Sequence, residues 1–248
     1  MTSLIVVTNQ KGGVGKTTTA IHLAHGLSLS GKRVLLMDFD PQGQAAIALG
    51  LEAEPGIFNL LINGIAEVRQ TRRKDLHIIP GNNTTAAAQI QLNAELRPLS
   101  HIRDVIKKLR LARYYDYMVM DTAPSAGGMQ ERAIFASDHV LLPTATDFLS
   151  SDGLVRGYEM ISQLHTERQW KGSLLGILPT FHDEISRESR AHLAALKKNF
   201  PRSVLSPIHH ATILRECAAE GVTIFEKDPR SRAGREYSRL IKVALQRA

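Results

Sequence analysis

Residues 9–18 near the start of the chain read Asn-Gln-Lys-Gly-Gly-Val-Gly-Lys-Thr-Thr, a composition that suits a loop for binding phosphate. Its glycines let the backbone turn sharply and bring N–H groups close to phosphate oxygens. Lys16 would supply the cation for β- and γ-phosphates, and the Thr17 hydroxyl would bind Mg²⁺. The pattern is G-x-x-x-x-G-K-[ST] without its first glycine, and Lys11 precedes the glycines that remain. The sequence therefore predicts a site for a nucleotide and magnesium.

Carboxylates end two later apolar runs. Asp38 and Asp40 belong to Asp-Phe-Asp-Pro-Gln-Gly at 38–43, and Asp121 follows Tyr-Met-Val-Met at 117–120. Ligands of an open parallel sheet bind at the carboxyl ends of its strands, so we expect these groups beside the phosphate loop. Asp40 is the candidate for orienting or deprotonating the attacking water, although 38–43 also has the composition of a plain turn. Asp121 and Asp38 are candidates for the magnesium shell, because a cation offsets the cost of a buried carboxylate.

The segment 122–128 follows Asp121 directly and reads Thr-Ala-Pro-Ser-Ala-Gly-Gly. Its two glycines allow the backbone to rearrange easily. We interpret it as a switch that senses the γ-phosphate, with an ordinary loop as the alternative.

Short apolar runs alternate with longer helical patterns, as is typical of a parallel sheet covered by helices on both faces. We predict an α/β, doubly wound, mostly parallel sheet of seven to eight strands in a single P-loop domain over 1–248. A helix over 17–30 should follow the first strand, with His22 and His25 solvated or at the edge of the core. Another helix is expected over 147–165. The strand candidates are 4–8, 33–38, 76–80, 117–121, 139–144, 174–179 and 204–208.

Composition narrows the class of protein. The 248 residues carry a net charge of +7, which favours a polyanionic partner, either nucleic acid or an anionic membrane surface. The single cysteine, Cys217, excludes a disulfide within the chain and a cysteine-paired zinc site, and we expect it to be a small buried or half-buried apolar residue. With no long apolar run and no secretory signal, the expected location is the cytoplasm.

The last helical pattern has one basic face and one apolar face at 100° per residue. We expect the apolar face to dock on the sheet and the basic face to meet DNA phosphates, although solvated charge is the commoner use of such rows. The basic face carries Arg232, Arg235, Arg239 and Lys242, and the apolar face carries Tyr237, Leu240, Ile241 and Ala244. A second, weaker basic row consists of Arg103, Lys107 and Arg110.

Lys11 with its phosphate loop, the segment 38–43 and Asp-Thr-Ala-Pro at 121–124 together resemble the ParA-type partition ATPases, within the deviant Walker ATPases that also include MinD. The resemblance covers nearly the whole chain and continues into Phe-Glu-Lys-Asp-Pro-Arg-Ser-Arg at 225–232. It implies ATP and Mg²⁺ as cofactors and an ATP-dependent homodimer. It also implies binding to double-stranded DNA without sequence preference, association with the nucleoid, and slow hydrolysis stimulated by a ParB-like or adaptor protein.

The same resemblance implies roles for single residues. Lys11 would cross the dimer interface and touch the partner's nucleotide, and Thr18 would contact the α-phosphate. Asp40 would be the catalytic carboxylate, and Asp121 would hold magnesium through water. The predicted nucleotide-binding set is Gly12, Gly13, Val14, Gly15, Lys16, Thr17, Thr18 and Pro207.

The chain departs from the family pattern at two places. Ala123 stands where the family usually has the first proline of the switch. Many relatives carry Pro-Arg-Asn and a following arginine where this chain has His-His-Ala at 209–211 and Ile213, so adenine or DNA contacts there stay open.

The alternative function is a MinD-like membrane-associated or protein-cargo scaffold. Residues 240–248 contain no Phe or Trp to anchor in lipid, and we therefore expect no membrane binding.

Overall fold

Seven strands form one sheet in the part of the chain that the structure describes. The structure, a computed structural model, describes residues 2–124, 128–147 and 150–248, with 150–152 as backbone only. Neighbouring strands lie in the order β3-β4-β2-β5-β1-β6-β7, all parallel except the β3–β4 pair. The predicted doubly wound, mostly parallel α/β fold is confirmed. The strands are β1 (Ser3–Val7), β2 (Val34–Phe39), β3 (Arg69–Gln70), β4 (Leu76–Ile79), β5 (Tyr117–Thr122), β6 (His139–Ala145) and β7 (Ser173–Thr180).

Helices cover both faces of this sheet. In β1, Leu4 and Val6 pack into one core while Ile5 and Val7 pack into the other, because successive strand side chains point to opposite faces. The helices are α1 (Lys16–Leu29), α2 (Gln44–Ile47), α3 (Gly56–Phe58), α4 (Thr84–Ala94), α5 (His101–Lys108), α6 (Gly128–Ala136), α7 (Ser150–Arg168), α8 (Arg187–Asn199), α9 (Ile213–Glu220), α10 (Ile224–Lys227) and α11 (Arg232–Arg247). Helices α1, α2 and α9 to α11 contribute to the core that contains Ile5, and α3 to α7 contribute to the other.

Six of the predicted strands are confirmed to within one residue at each end, whereas the seventh is wrong. Segment 204–208 runs along the outer edge of β7, but this segment and the residue after it form only isolated bridges, Val204 to Ile177 and His209 to His182. Pro207 lacks the N–H that a regular ladder needs at its position. The sequence also missed β3, a two-residue strand that exists only through its antiparallel pairing with β4.

Helix α11 has the two faces that the sequence predicts. Its four apolar residues are buried and its four predicted cations are exposed. The apolar face packs on α1 instead of directly on the sheet, which corrects the expectation. The two helices approach so closely that a methyl group on Gly26 of α1 would lie 1.7 Å from Cδ1 of Ile241. Helix α1 is therefore enclosed between the sheet and α11.

This enclosure buries His22 and His25, which the sequence analysis expected to be solvated or at the core edge. Each of the two residues is 3% exposed. His22 donates from Nδ1 to the Thr18 carbonyl at 2.7 Å, accepts from the Ile224 N–H at 3.0 Å, and stacks on Tyr237 with ring centroids 4.6 Å apart. Burial lowers the pKa of both imidazoles to about 4. The two histidines are therefore neutral parts of the core.

Cys217 is buried, as predicted. Among the described residues, no helix combines the length and the hydrophobicity needed to cross a membrane.

The neutral histidines predict acid-sensitive stability. Because the folded pKa of about 4 lies below the unfolded value of 6.5, the unfolded chain alone takes up protons as the pH falls from 6.5 towards 4. The free energy of unfolding should fall by about 1.4 kcal/mol per histidine between neutral pH and about pH 5.5. Urea unfolding at the two pH values measures this loss. The double variant His22→Gln, His25→Gln should lose less stability on acidification than the wild type, while His210→Gln, at an exposed position, should lose as much.

Candidate active site

The loop between β1 and α1 has the shape that its glycines predict. Gly13 and Gly15 have φ angles of +73° and +79°, which only glycine adopts without strain. Gly15 immediately precedes Lys16, the first residue of α1, and makes no side-chain cap. The first amides of α1 are therefore presented to a ligand at the positive end of the helix, which suits a phosphate group.

Neighbouring strands hold this loop in place. The Thr180 hydroxyl at the end of β7 donates to the Val14 carbonyl at 3.0 Å. The Asn9 side chain accepts from the Lys11 N–H at 2.9 Å and donates to the Pro143 carbonyl of β6 at 2.8 Å. The loop conformation is thus set by the ends of β6 and β7, which the sequence places more than 130 residues away.

The Lys16 side chain lies among carboxylates. Its residue is 6% exposed, and Nζ donates to the Lys11 carbonyl at 2.8 Å. Burial lowers its pKa, while the charges of Asp121 and Asp40 raise it. The cation predicted for the β- and γ-phosphates is therefore close to both acidic residues that the sequence placed at the site.

Asp121 is a buried carboxylate whose charge the surrounding groups do not fully compensate. It is fully buried at the end of β5, and neither carboxylate oxygen has a hydrogen-bond partner among the described residues. Burial and the charge of Asp38 raise its pKa well above the usual range, while Thr17 and Lys16 act in the opposite direction. The Thr17 hydroxyl is close enough to lower this pKa without making a hydrogen bond of normal geometry. A divalent cation between the Thr17 hydroxyl and the Asp121 carboxylate fits this need, and Mg²⁺ prefers such oxygen ligands.

Asp38 shapes the turn that follows β2. Its carboxylate accepts from the Asp40 N–H at 3.1 Å and from the Ala45 N–H at 3.0 Å. Burial is the main cause that raises its pKa to about 7. Because both oxygens already bind backbone donors, Asp38 fixes the position of Asp40. Its predicted place in the magnesium shell stays a prediction.

The turn that carries Asp40 packs against a glycine, Gly81, that sequence reasoning missed. Asp40 also makes a local hydrogen bond. Its Oδ1 accepts from the Gln42 N–H at 2.9 Å, and the residue is half-buried beside the phosphate loop. Gly81, just after β4, passes this turn so closely that a methyl group there would lie 2.2 Å from the Asp38 carbonyl oxygen and 3.0 Å from that of Asp40. The turn can approach β4 only because residue 81 has no side chain.

A cavity of about 300 Å³ opens beside the N-terminus of α1. The Phe181 ring forms one wall, 3.6 Å from the place where a Cβ of Gly15 would be, and lies 6.2 Å from the His210 ring between centroids. Thr18 lines the cavity, as its predicted phosphate contact requires. Pro207 is not among the lining residues, although Ile208 is. The lining residues are Gly15, Thr18, Thr180, Phe181, Ile208, His209, His210, Ala211, Leu214, Arg215, Ala218 and Tyr237.

The cavity has the size and the mixed lining of a site for a nucleoside. The sequence analysis left adenine or DNA contacts open at residues 209–211, and the structure places His209 and His210 around the same cavity as Phe181. No spacing in the sequence could have identified Phe181.

Lys11 extends away from its own phosphate loop. Its Nζ lies 3.1 Å from Oδ1 of Asp147, in the segment that leads to α7. Helix α7 packs closely here, since a methyl group on Gly153 would lie 2.8 Å from Cβ of Lys11. Of the predicted switch, residues 125–127 lie outside the described residues. A methyl group on Gly12 would lie 3.8 Å from Cγ of Pro124.

Known proteins are similar to this chain over most of its length. A family model described as an AAA domain matches residues 2–173. The sporulation initiation inhibitor protein Soj of Bacillus subtilis strain 168 is 31% identical over 249 residues, with 98% of each chain covered. The chromosome partitioning protein ParA of Myxococcus xanthus strain DK1622 is 32% identical over 253 residues, which cover 98% of this chain and 88% of that protein.

Solved structures with bound nucleotide are also similar. A McdA variant from Cyanothece in complex with ATP has a TM-score of 0.89 and 25% identity, over 99% of this chain and 96% of that one. Cobyrinic acid a,c-diamide synthase from Mycobacterium smegmatis, bound to an ATP analogue and magnesium, has a TM-score of 0.85 and 25% identity, over 99% and 95% of the two chains. These similarities agree with a phosphate loop that binds ATP and Mg²⁺.

The contact at Gly81 gives a test of the Asp40 turn. In Gly81→Ala the new methyl group must displace the turn, and a shift of this size should lower hydrolysis at saturating ATP about 10- to 100-fold. Nucleotide affinity should change little, because Lys16 and the N-terminus of α1 are untouched. Phosphate release and binding of a fluorescent ATP analogue measure the two effects. Gly157→Ala, where a methyl group would make an ordinary 3.6 Å contact, is the control, and a wild-type rate in Gly81→Ala would contradict the proposed geometry.

Proposed function

The chain belongs to the ParA-type partition ATPases, P-loop enzymes that hydrolyse ATP with Mg²⁺, and from this membership we propose a DNA-dependent positioning ATPase. In this proposal, residues 1–248 act as a single ATPase domain, and ATP closes two copies into a dimer. The dimer binds double-stranded DNA without sequence preference, in the cytoplasm and on the nucleoid. Slow hydrolysis, stimulated by a ParB-like or adaptor protein, then releases it from the DNA.

The chemistry of the site divides among few groups. The glycine loop and the first amides of α1 bind the phosphates, and the buried ammonium of Lys16 offsets their charge. Thr17 would hold Mg²⁺ directly and Asp121 through water, and the metal supplies charge neutralisation of the transferring phosphoryl group. Asp40, fixed by its backbone bond to Asp38, orients the attacking water.

The orientation of Lys11 is the observation that carries the dimer proposal. A lysine that served its own nucleotide would lie along the phosphate loop, as Lys16 does. Lys11 instead extends towards Asp147 beside the start of α7, and its Nζ lies 3.1 Å from Oδ1 of that residue. The proposal assigns Lys11 to the nucleotide of the partner copy, so that each active site is completed only in the dimer.

The exposed side of α11 supports the DNA proposal. Within residues 2–124, 128–147 and 150–248, no carboxylate forms an ion pair with Arg235, Arg239 or Lys242. We define these three residues as the basic stripe, and propose that it neutralises phosphates along the duplex. Arg232 differs from the other three because it is paired with Glu184 and Glu236.

A membrane-inserted α11 has less support. Tyr237, Leu240 and Ile241 form its apolar face, and all three are buried against neighbouring elements in the core that contains α1. Inserting this face into lipid would require α11 to leave α1 and expose the neutral histidines beneath it. We therefore propose no membrane partner.

Two substitutions test the dimeric ATPase. Asp40→Ala should keep ATP-dependent dimerisation and lose hydrolysis, because only the orientation of water is removed. Lys11→Ala should lose both, because the partner's nucleotide loses its cation. Light scattering with ATP and with ADP measures the dimer, and phosphate release measures turnover. Lys198→Ala, an exposed lysine of α8, is the matched control. If Lys11→Ala dimerises and hydrolyses ATP normally, the sandwiched dimer is wrong and a generic ATPase remains.

The DNA surface has its own test. Replacing Arg235, Arg239 and Lys242 with glutamine should weaken binding to every DNA sequence equally. The slope of log affinity against log salt should fall by about 0.9 for each phosphate contact that is lost. Filter binding with ATP at several salt concentrations measures this slope. The control removes the same charge from exposed positions elsewhere, Lys197, Lys198 and Arg202, and an equal effect of both triple variants would place the DNA surface away from α11.

A further inference from the structure

Four side chains meet where α11 begins, and we call them the α11 clasp: Glu184, His209, Arg232 and Glu236. Arg232 is the first residue of α11. Its guanidinium donates from Nη2 and Nη1 to the two carboxylate oxygens of Glu184 at 2.5 and 3.2 Å, and from Nε to Glu236 at 2.9 Å. One arginine thus binds two carboxylates from different parts of the chain.

The buried member of the clasp is Glu236, whose side chain is 3% exposed. One of its oxygens accepts from the backbone N–H of His209 at 2.9 Å, and the other lies 2.6 Å from Nδ1 of the same histidine. A buried carboxylate is costly unless its oxygens are satisfied. Arg232 and His209 together supply the donors that Glu236 needs.

The clasp holds both walls of the cavity beside the phosphate loop. Glu184 lies three residues after Phe181, which forms one wall, and His209 belongs to the opposite wall. The two walls also touch directly, since the His182 and His209 rings lie 4.9 Å apart between centroids and the His210 N–H donates to the His182 carbonyl at 3.0 Å. The first turn of α11 therefore fixes the separation between the walls.

We propose that Arg232 and Glu236 are positioning residues that couple the nucleotide cavity to the helix of the basic stripe. The inference rests on the proposed function, in which the cavity takes the nucleoside of ATP and α11 binds DNA. Arg232 then acts on the cavity through Glu184 and His209 and makes no phosphate contact of its own. Because coupling between two sites is reciprocal, whatever moves the start of α11 on DNA also changes ATP affinity.

Arg232 and Glu184 are partly exposed, and they can fix the cavity walls because they belong to a larger network. A single surface ion pair contributes little, because solvent screens it and ordering two side chains costs entropy. Here Arg232 is shared between Glu184 and the buried Glu236, and the same Glu236 fixes the backbone of His209. Members of such a network depend on one another, so their substitutions should not be additive.

The test measures affinity for a fluorescent ATP analogue without DNA, in Glu184→Gln, Arg232→Gln and the double variant. Each single variant should raise the dissociation constant about two- to fivefold, and the double variant no further, since either change breaks the same link. The KM for ATP should rise equally while kcat at saturating ATP stays at the wild-type value. Arg202→Gln, an exposed arginine outside the clasp, should leave the affinity unchanged.

A second measurement separates positioning from DNA contact. With ATP saturating, Arg232→Gln should keep the wild-type salt slope of DNA binding, whereas Arg239→Gln should lower it by about 0.9. Wild-type ATP affinity in both single variants, or additive losses in the double variant, overturns the inference. A salt slope lowered equally by Arg232→Gln and Arg239→Gln overturns it as well and makes Arg232 a phosphate contact.

The proposed function fails by a different result. If the wild-type chain binds the ATP analogue but no DNA, the positioning function is wrong, while the affinities of the Glu184 and Arg232 variants still decide the clasp. Glu184 is exposed, so Glu184→Gln tests the link without disturbing the core. Thermal unfolding of each variant shows whether a loss of affinity comes from a loss of fold.

Discussion

Two buried carboxylates on neighbouring strands set the conditions for the whole site. The β2–β5 register places Asp38 directly beside Asp121, and both are fully inaccessible to solvent. Two like charges this deep are unfavourable unless cations and donors surround them. Backbone N–H groups satisfy Asp38, whereas Asp121 has Lys16 and Thr17 nearby and, in the proposed function, the magnesium that binds with ATP. Binding of Mg·ATP thus completes the electrostatics of the interior, and by linkage it stabilises the fold.

The sequence predicted what is encoded locally. Parallel strands buried on both faces appear as continuous apolar runs, so six of seven strands could be placed to within one residue. The phosphate loop was equally visible, because its glycines and lysine act within a few residues of one another. The same holds for α11, whose two faces follow from helical geometry alone. Asp40 and Asp121 could be identified as candidates, because a carboxylate at the end of an apolar strand is costly without a compensating cation.

What the sequence could not predict depends on contacts between distant segments. Nothing near His22 signals that Ile224 and Tyr237 will enclose it, more than 200 residues later. Gly81 follows a strand as many glycines do, and its importance arises only from its approach to Asp38 and Asp40. The failed strand at 204–208 has the apolar composition of a strand, yet Pro207 and the irregular edge of β7 prevent a regular ladder.

The charge distribution along α11 divides the helix into two parts with different tasks. Its first turn faces the carboxylates of Glu184 and Glu236, which suit the positive end of a helix dipole and neutralise Arg232. Phosphates of a polyanion gain little there, because two negative charges already occupy that end. Arg239 and Lys242 lie beyond the clasp on the exposed side, where no described carboxylate forms an ion pair with them. The proposed DNA contact therefore falls on the later turns of α11, and the start of the helix is left to the nucleotide cavity.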